Sequence, residues 1–284
     1  MRSLARAIKN FSNDDMLVYA AALSYQLFFS LFPFVIFLLA LLGLLNIPGF
    51  FDWLLKQSQT VLPGQASGLM KNIIGQIRGQ AASGALSLGA VLALWSASSA
   101  VRMAMHAFNV AYKVEDRPAW KKFPASIFYT AALAVLIIVA AALMMIGPQL
   151  ASWIAKQVGM GSVFATIWTW ARIPVAVVVL MLAAALVYGL FPNVDQPFRF
   201  ITPGSVLAVI VWILASLGFS WYVANFASYN ATYGSLAAVI VLLFYFFISA
   251  AILLFGAELN AEVYHEATED GGTGRRGPEE EAGT

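Results

Sequence analysis

The chain has 284 residues, of which 61% are hydrophobic and 11% are charged, and its formal net charge is only +2. It contains no cysteine and two histidines, His106 and His265. This composition excludes disulfides, thiolate nucleophiles and a metal site built from several histidines. Its long apolar segments are typical of helices that cross a bilayer. We therefore predict an all-α, polytopic membrane protein with six transmembrane helices.

The N-terminal part is predicted to contain a surface segment and the first span. Residues 1–12 form a basic interfacial segment in this prediction, because Leu4, Ile8 and Phe11 recur at helical spacing. The first span covers about 16–45 and contains Pro33, which predicts a tilt or kink. A long extracytoplasmic loop, residues 46–84, follows and is predicted to include a short amphipathic helix.

The remaining apolar segments predict five further spans, at about 85–106, 124–146, 168–190, 204–224 and 236–257. Gly147-Pro148 predicts the end of the third span, and Thr202-Pro203 predicts the start of the fifth. The membrane domain therefore covers residues 13–264. The polar residues 265–284 are predicted to be a disordered tail.

The distribution of basic residues predicts the orientation. Six spans return the chain to the side on which it began. Eleven lysines and arginines fall on that side and five on the opposite side. Because cytoplasmic loops are typically the more basic ones, we predict that both termini are cytoplasmic.

The second span carries a polar face. Trp95, Ser99, Arg102, His106 and Asn109 are separated by four, three, four and three positions, which places them on one side of a helix. A charged side chain at membrane depth is costly unless it is paired or reaches the interface. The face is either a polar track toward the bundle interior, or a set of interface anchors at the end of the span.

The sixth span ends in a carboxylate. Glu258 follows the uncharged run Val239 to Ala257, at the predicted cytoplasmic end. Arg102 lies at a matching depth in the second span, so we predict an Arg102–Glu258 ion pair that joins the two helices. Such a pair either holds the bundle together or takes part in moving a proton or a substrate.

Two further groups of uncharged polar residues are candidates for function. Tyr25 and Gln26 lie at membrane depth in the first span, and Gln26 is predicted to face another helix. Residues 225–235 are uncharged and rich in hydroxyls and amides. They form either a turn ending in Gly234, with Ser235 capping the sixth span, or an outer lip that binds a polar headgroup or small solute. The lip would consist of Asn225, Tyr229, Asn230 and Tyr233.

Short motifs in a fixed order suggest a family. They are Asp14-Asp15, Ala20 to Tyr25, Ser30 to Pro33, Leu94 to Ser98, Ala107 to Tyr112, Tyr233 to Ala238, and Phe255 to Glu262. From about residue 10 to 265, their order and spacing resemble the YihY/BrkB membrane proteins. The resemblance implies a six-span bacterial inner-membrane protein with both termini inside. That family has been labelled a virulence factor, linked to envelope lipid export and called ribonuclease BN, and it offers no catalytic residues to carry over.

The sequence argues against an enzyme. Metal-dependent cleavage of a phosphodiester needs converging carboxylates or histidines, and the acidic residues here are scattered over loops, helix ends and the tail. We predict no cofactor, no metal and no nucleic-acid partner.

Two functions remain. One is a transporter or lipid translocator of the cell envelope, with membrane lipids as partners and a lipid or small solute as substrate. Its route would be lined by Tyr25, Gln26, the polar face of the second span and Glu258. The other is a non-transporting scaffold. A lateral, amphipathic opening that reaches the polar face favours transport, and a solidly packed bundle favours the scaffold. The sequence does not predict an oligomeric state.

Overall fold

The computed structural model describes residues 2–44, 75, 84–158, 161–225 and 230–273. Within these ranges the protein is entirely helical, which confirms the predicted fold class. The helices are α1 (Arg2–Asn13), α2 (Met16–Leu44), α3 (Gly84–Ala111), α4 (Ala119–Val158), α5 (Gly161–Leu190), α6 (Pro203–Asn225) and α7 (Asn230–Thr273). Apart from Gly75 and Gly84, the predicted loop 46–84 and its amphipathic helix lie outside the described residues.

Four helices contain a segment long and apolar enough to cross a membrane. These segments are Met16–Phe34, Ala119–Ala140, Pro203–Val223 and Val239–Thr268. A shorter apolar segment, Pro174–Leu190, forms the second half of α5. In the part of the chain that the structure describes, four spans are therefore supported, and the count of six stays a prediction.

The prediction that a helix ends at Gly147-Pro148 is wrong, whereas the membrane boundary of the third span stays a prediction. Helix α4 continues through both residues to Val158. In an apolar environment, a broken helix would leave backbone groups without hydrogen-bond partners, so the helix persists through residues that would end it in water. Pro33 and Pro174 likewise lie inside α2 and α5.

Helix α7 is longer than predicted at both ends. It begins at Asn230, so Gly234 and Ser235 lie inside the helix and form neither a turn nor a cap. It continues to Thr273, through residues predicted to be disordered. The C-terminal extension of α7 contacts α1, and this contact stabilises it. The hydropathy of the sequence does not reveal such a contact between distant segments. The remainder of the tail, residues 274–284, lies outside the described residues.

Helix α7 packs against α1, α2, α3 and α6, whereas α4 packs against α3 and α5. The largest buried side chains of the core are Met16, Leu23, Met105, Phe108, Tyr112, Tyr188 and Leu254. They cluster where the start of α2, the end of α3, the end of α5 and the later turns of α7 meet. Beside this core lies a region that we call the polar end, which comprises α1, residues 112–122, residues 191–202 and residues 255–268.

Two glycines allow α6 and α7 to touch. A β-carbon on Gly204 would collide with the carbonyl oxygen of Gly256, and a β-carbon on Gly256 would collide with the Tyr188 hydroxyl. Asn260 fixes the same contact, because its side-chain oxygen accepts a hydrogen bond from the Gly204 amide at 2.8 Å. Small residues at helix crossings permit this close approach in membrane proteins.

Candidate functional site

The first half of the α3 polar face contacts α2. Gln26 donates a hydrogen bond from its side-chain amide to the Ser99 hydroxyl, and Ser30 lies 3.2 Å from the same oxygen. The prediction that Gln26 faces another helix is confirmed. Tyr25 instead points away from the bundle, with 59% of its surface exposed and its ring against Phe29. Neighbouring positions on a helix differ in direction by about 100°, so only one of the two can face α3.

Arg102 faces α4. Its guanidinium donates hydrogen bonds to the hydroxyls of Ser98 at 2.5 Å and Ser126 at 3.2 Å. The guanidinium carbon also lies 4.6 Å from the centre of the Phe123 ring, a cation–π contact. Neither carboxylate oxygen of Glu258 has a hydrogen-bond partner. The predicted Arg102–Glu258 pair is therefore wrong, because matched depth along two helices does not fix the direction in which each side chain points.

The second half of the polar face binds one carboxylate in the loop after α3. Asp116 accepts hydrogen bonds from the Asn109 amide at 2.7 Å and the Lys122 ammonium at 2.6 Å. The ring nitrogen Nδ1 of His106 lies 2.9 Å from the same carboxylate. Burial raises the pKa of Asp116, but hydrogen bonds from Lys122, Asn109 and His106 outweigh it and lower the pKa to about 2. His106 and Asn109 thus tie α3 to the loop, and Lys122 joins the same carboxylate to α4.

A second loop is held to the same place. The side-chain oxygen of Asn109 accepts a hydrogen bond from the Asn193 backbone at 2.8 Å. Arg117 donates to three successive backbone carbonyls, of residues 190–192, at 2.7 to 3.1 Å. The first of these carbonyls ends α5 and the other two directly follow it, so a cation there both caps and stabilises the helix end. Sequence reasoning counted Arg117 only as a basic loop residue.

Helix α1 contacts an acidic stripe on α7. Every fourth residue along one face is a glutamate, and the stripe comprises Glu258, Glu262 and Glu266. Asn10 donates to Glu262 at 2.5 Å. Ser3 and Arg6 donate to Glu266 at 3.0 and 3.2 Å. Three polar residues of α1 are therefore bound to α7, namely Ser3, Arg6 and Asn10.

The apolar face of α1 points elsewhere. Leu4 and Ile8 are 41% and 58% exposed. Phe11, by contrast, packs edge-on against Phe255 at 5.6 Å between ring centres. Two of the three apolar residues used to predict an interfacial segment are thus free to contact lipid headgroups, and that placement stays a prediction.

Among the described residues, Glu258 has no hydrogen-bond partner. Its side chain is only 1% exposed, and neither oxygen accepts a hydrogen bond. One carboxylate oxygen of Asp14 is likewise buried and accepts no hydrogen bond. The charged groups that act on Glu258 electrostatically are Asp14, Lys113 and Glu262. Buried polar atoms are nearly always hydrogen-bonded, so this carboxyl needs an explanation.

The end of α3 fixes the backbone of Lys113. Its amide donates to the Val110 carbonyl at 3.0 Å, and the Val114 amide donates to the Asn109 carbonyl at 2.9 Å. Lys113 has a φ of 55°. This is the Schellman ending, in which the left-handed position usually holds glycine. The backbone position of this cation, which acts on Glu258, is therefore set by the helix end.

The predicted outer lip is only partly within the described part of the chain. Tyr229 lies outside the described residues. Asn225, Asn230 and Tyr233 lie in the ends of α6 and α7, and the directions of their side chains are not described. The lip therefore stays a prediction.

A partly open cavity of about 250 Å³ lies between α2, α5, α6 and α7. Residues that line it include Leu27, Leu180, Ala183, Val209, Ile252 and Leu253. Its few polar groups are internally bonded, since Tyr188 donates to the Leu253 carbonyl at 2.9 Å and Trp212 donates to Ser249 at 3.1 Å. None of the α3 polar face lines this cavity. It is thus apolar, in contrast to the amphipathic opening considered above.

The described residues contain no group of three or more histidines, aspartates or glutamates arranged to hold a metal ion. The side chains predicted to line one route are divided among separate places. Gln26 and Ser99 lie between α2 and α3, and Arg102 lies between α3 and α4. His106 and Asn109 bind a loop, and Glu258 is buried on α7.

Comparison with known proteins gives the following relatives. The profile of the BrkB virulence factor family matches residues 7–281. YfkH of Bacillus subtilis, named a ribonuclease-like protein, is 36% identical over 246 residues, covering 86% of this chain and 89% of that protein. A UPF0761 membrane protein of Chromohalobacter salexigens is 31% identical over 267 residues, covering 92% of this chain and 63% of the relative.

No solved structure matches the chain. The family profile covers nearly the whole sequence, and both relatives cover more than four fifths of it. The apolar helices agree with the membrane description of the Chromohalobacter protein. The chain therefore belongs to the BrkB virulence factor family of membrane proteins.

Proposed function

We propose that the protein moves a lipid across the membrane of the cell envelope. The observation that carries this proposal is the apolar cavity between α2, α5, α6 and α7. An engineered apolar cavity of roughly 150 Å³ binds benzene, so a cavity of about 250 Å³ has room for a larger apolar group. A segment of an acyl chain has the matching chemistry.

The polar groups of the cavity favour a lipid over a polar solute. The hydroxyls of Tyr188 and Ser249 and the indole of Trp212 already take part in protein hydrogen bonds. A sugar or an ion entering the cavity would lose its water without gaining partners, and such desolvation is costly. An acyl chain has no such cost.

A scaffold is the second candidate, and a different observation favours it. The polar end is tightly joined, by the Arg117 contacts with α5 and by the Gly204–Gly256 contact of α6 with α7. Much of the polar face that was expected to line a route instead holds helices and loops together. A scaffold would need this rigidity but has no use for the cavity.

We also propose that the chain is not a nuclease, although one relative is named ribonuclease-like. The described acidic residues near α7 lie on one helix face, where two of the three already accept hydrogen bonds from α1. Asp116 is bound to Lys122 and Asn109. A two-metal or metal-water mechanism needs carboxylates that converge on one point and are open to the substrate.

Reconstitution of the purified protein into liposomes tests the proposal. The transbilayer movement of a headgroup-labelled phospholipid is followed with a membrane-impermeant quencher. We expect faster movement than in protein-free liposomes that contain the same lipids. If a correctly folded protein leaves the rate at the protein-free level for neutral and anionic lipids alike, the scaffold is the better description.

A further inference from the structure

We infer that Glu258 is a proton-binding site buried at the polar end. The inference does not depend on lipid movement, because it rests on the surroundings of one side chain. Glu258 is 1% exposed and both of its oxygens lack a hydrogen-bond partner. Moving an ionised carboxylate out of water without hydrogen bonds or a counter-charge is so costly that the neutral, protonated form is favoured instead.

The other glutamates of the stripe provide an internal comparison. Glu262 accepts a hydrogen bond from Asn10, and Glu266 accepts from Ser3 and Arg6. Each of these two carboxylates has donors for its negative charge. Glu258 lies one helical turn away on the same face and has none. Glu258 therefore differs from Glu262 and Glu266 because of the side chains around it, and not because of its position on α7.

The charges around Glu258 point in the same direction. The groups that act on it are Asp14 in the turn between α1 and α2, Lys113 in the turn after α3, and Glu262 on its own helix. Two of these three groups are acidic, and like charges nearby favour the neutral form. Lys113 opposes them, but it is exposed and donates no hydrogen bond to Glu258.

A proton suits this place better than a metal ion. Ca²⁺ takes six to eight oxygen ligands, and Mg²⁺ requires near-octahedral geometry. The described residues provide no group of three acidic or histidine ligands, and Glu262 is already bound to Asn10. One carboxyl is enough to bind a proton.

Helix α1 covers the site. Phe11 packs on Phe255 and Asn10 binds Glu262, so the end of α1 contacts α7 on both sides of Glu258. The turn that follows contains Asp14 and then Asp15, whose φ is 52°. The end of α1 therefore lies over the face of α7 that carries Glu258.

Infrared spectroscopy of the full-length protein in a detergent without ester or acid groups tests the inference, since lipid ester carbonyls would mask the band. At neutral pH, the wild type should show the carbonyl stretch of a protonated carboxylic acid in an apolar environment. Glu258→Gln should abolish that band, because an amide has the shape of the protonated acid but not its absorption. Glu266→Gln is the matched control on the same stripe and should leave the band unchanged, because Glu266 is not among the charged groups that act on Glu258.

Two results would overturn the inference. One is a wild-type spectrum without the band at neutral pH, which needs no variant and so is informative even if Glu258→Gln does not fold. The other is a band that survives in Glu258→Gln. A third result would indicate a cation site instead of a proton site. In that case Na⁺ or Ca²⁺ would raise the thermal stability of the wild type at neutral pH but not that of Glu258→Gln.

Discussion

At the scale of single residues, Asp116 holds the loop after α3 in place, although it was not among the candidate residues predicted from the sequence. It binds two members of the α3 polar face, His106 and Asn109, together with Lys122. In the sequence, the polar face of α3 resembles the lining of a transport route. In the structure, part of this face instead binds the loop that follows α3. Buried and half-buried polar groups are satisfied within the protein wherever partners are within reach.

Asp116 predicts a defined dependence of stability on pH. Its pKa falls from an ordinary value of 3.8 to about 2 in the folded protein, so its stabilising contribution is complete above 3.8. As the pH falls through this window, the unfolded chain takes up the proton first and the contribution is lost. The difference in unfolding free energy between the wild type and Asp116→Asn should therefore shrink as the pH falls toward 2. Denaturant unfolding in detergent measures it, and a difference that does not change with pH would contradict the assignment.

At the scale of elements, the contact between α6 and α7 depends on the absence of side chains. Gly204 and Gly256 meet backbone to backbone, and Asn260 bonds to the Gly204 amide at this point. The start of α6 is thereby fixed against the half of α7 that carries the acidic stripe. The α1–α7 contact is of a different kind, because polar and charged hydrogen bonds join those two helices.

Gly204→Ala should weaken this contact. The added β-carbon would overlap the Gly256 carbonyl, and overpacking of a close contact typically costs about 1–3 kcal/mol. Gly218→Ala is the matched control on the same helix, since a β-carbon there meets nothing within 4 Å. The control should be neutral or stabilising by up to ~1 kcal/mol, because alanine favours a helix. Thermal unfolding in detergent distinguishes them, and equal stability of the two variants would show that the helices do not meet as described.

The sequence predicted elements better than it predicted their contacts. Continuous apolar segments indicate helices because the period and length of the pattern are local properties. Gln26 could be assigned to a helix contact because an amide facing lipid is costly. The direction of Arg102 could not be assigned, because α3 packs against α2, α4 and α7, and depth alone does not choose among them. The contact of α1 with Glu262 and Glu266 joins residues more than 250 positions apart, beyond the range of any local pattern.

At the scale of the whole molecule, the described helices α2 to α7 pack on one another, and the loops 112–118 and 191–202 lie with α1 at the polar end. We propose that this end is cytoplasmic and that the membrane is the bacterial cytoplasmic membrane, because loops rich in lysine and arginine are retained on that side. Arg117, Lys121 and Lys122 follow one another closely there, and α1 adds Arg2, Arg6 and Lys9.

The absence of cysteine allows a direct test of this orientation. Single cysteines are introduced at Glu115, which is exposed at the polar end, and at Gln65 in the predicted outer loop. In intact cells from which any outer barrier has been removed, a membrane-impermeant maleimide should label Gln65→Cys and leave Glu115→Cys unlabelled until the cells are permeabilised. The reverse pattern would place the polar end outside.

We propose that the apolar cavity accommodates part of a lipid as the lipid crosses the membrane. The most direct measurement compares lipid movement in liposomes that contain Ala183→Phe, which fills the cavity, with movement in liposomes that contain Ala22→Phe, the same change at an exposed position outside it. We predict that Ala183→Phe lowers the rate toward that of protein-free liposomes, whereas Ala22→Phe retains the wild-type rate. If both variants are folded and move lipid as fast as the wild type, the cavity is not the route and the claim is contradicted.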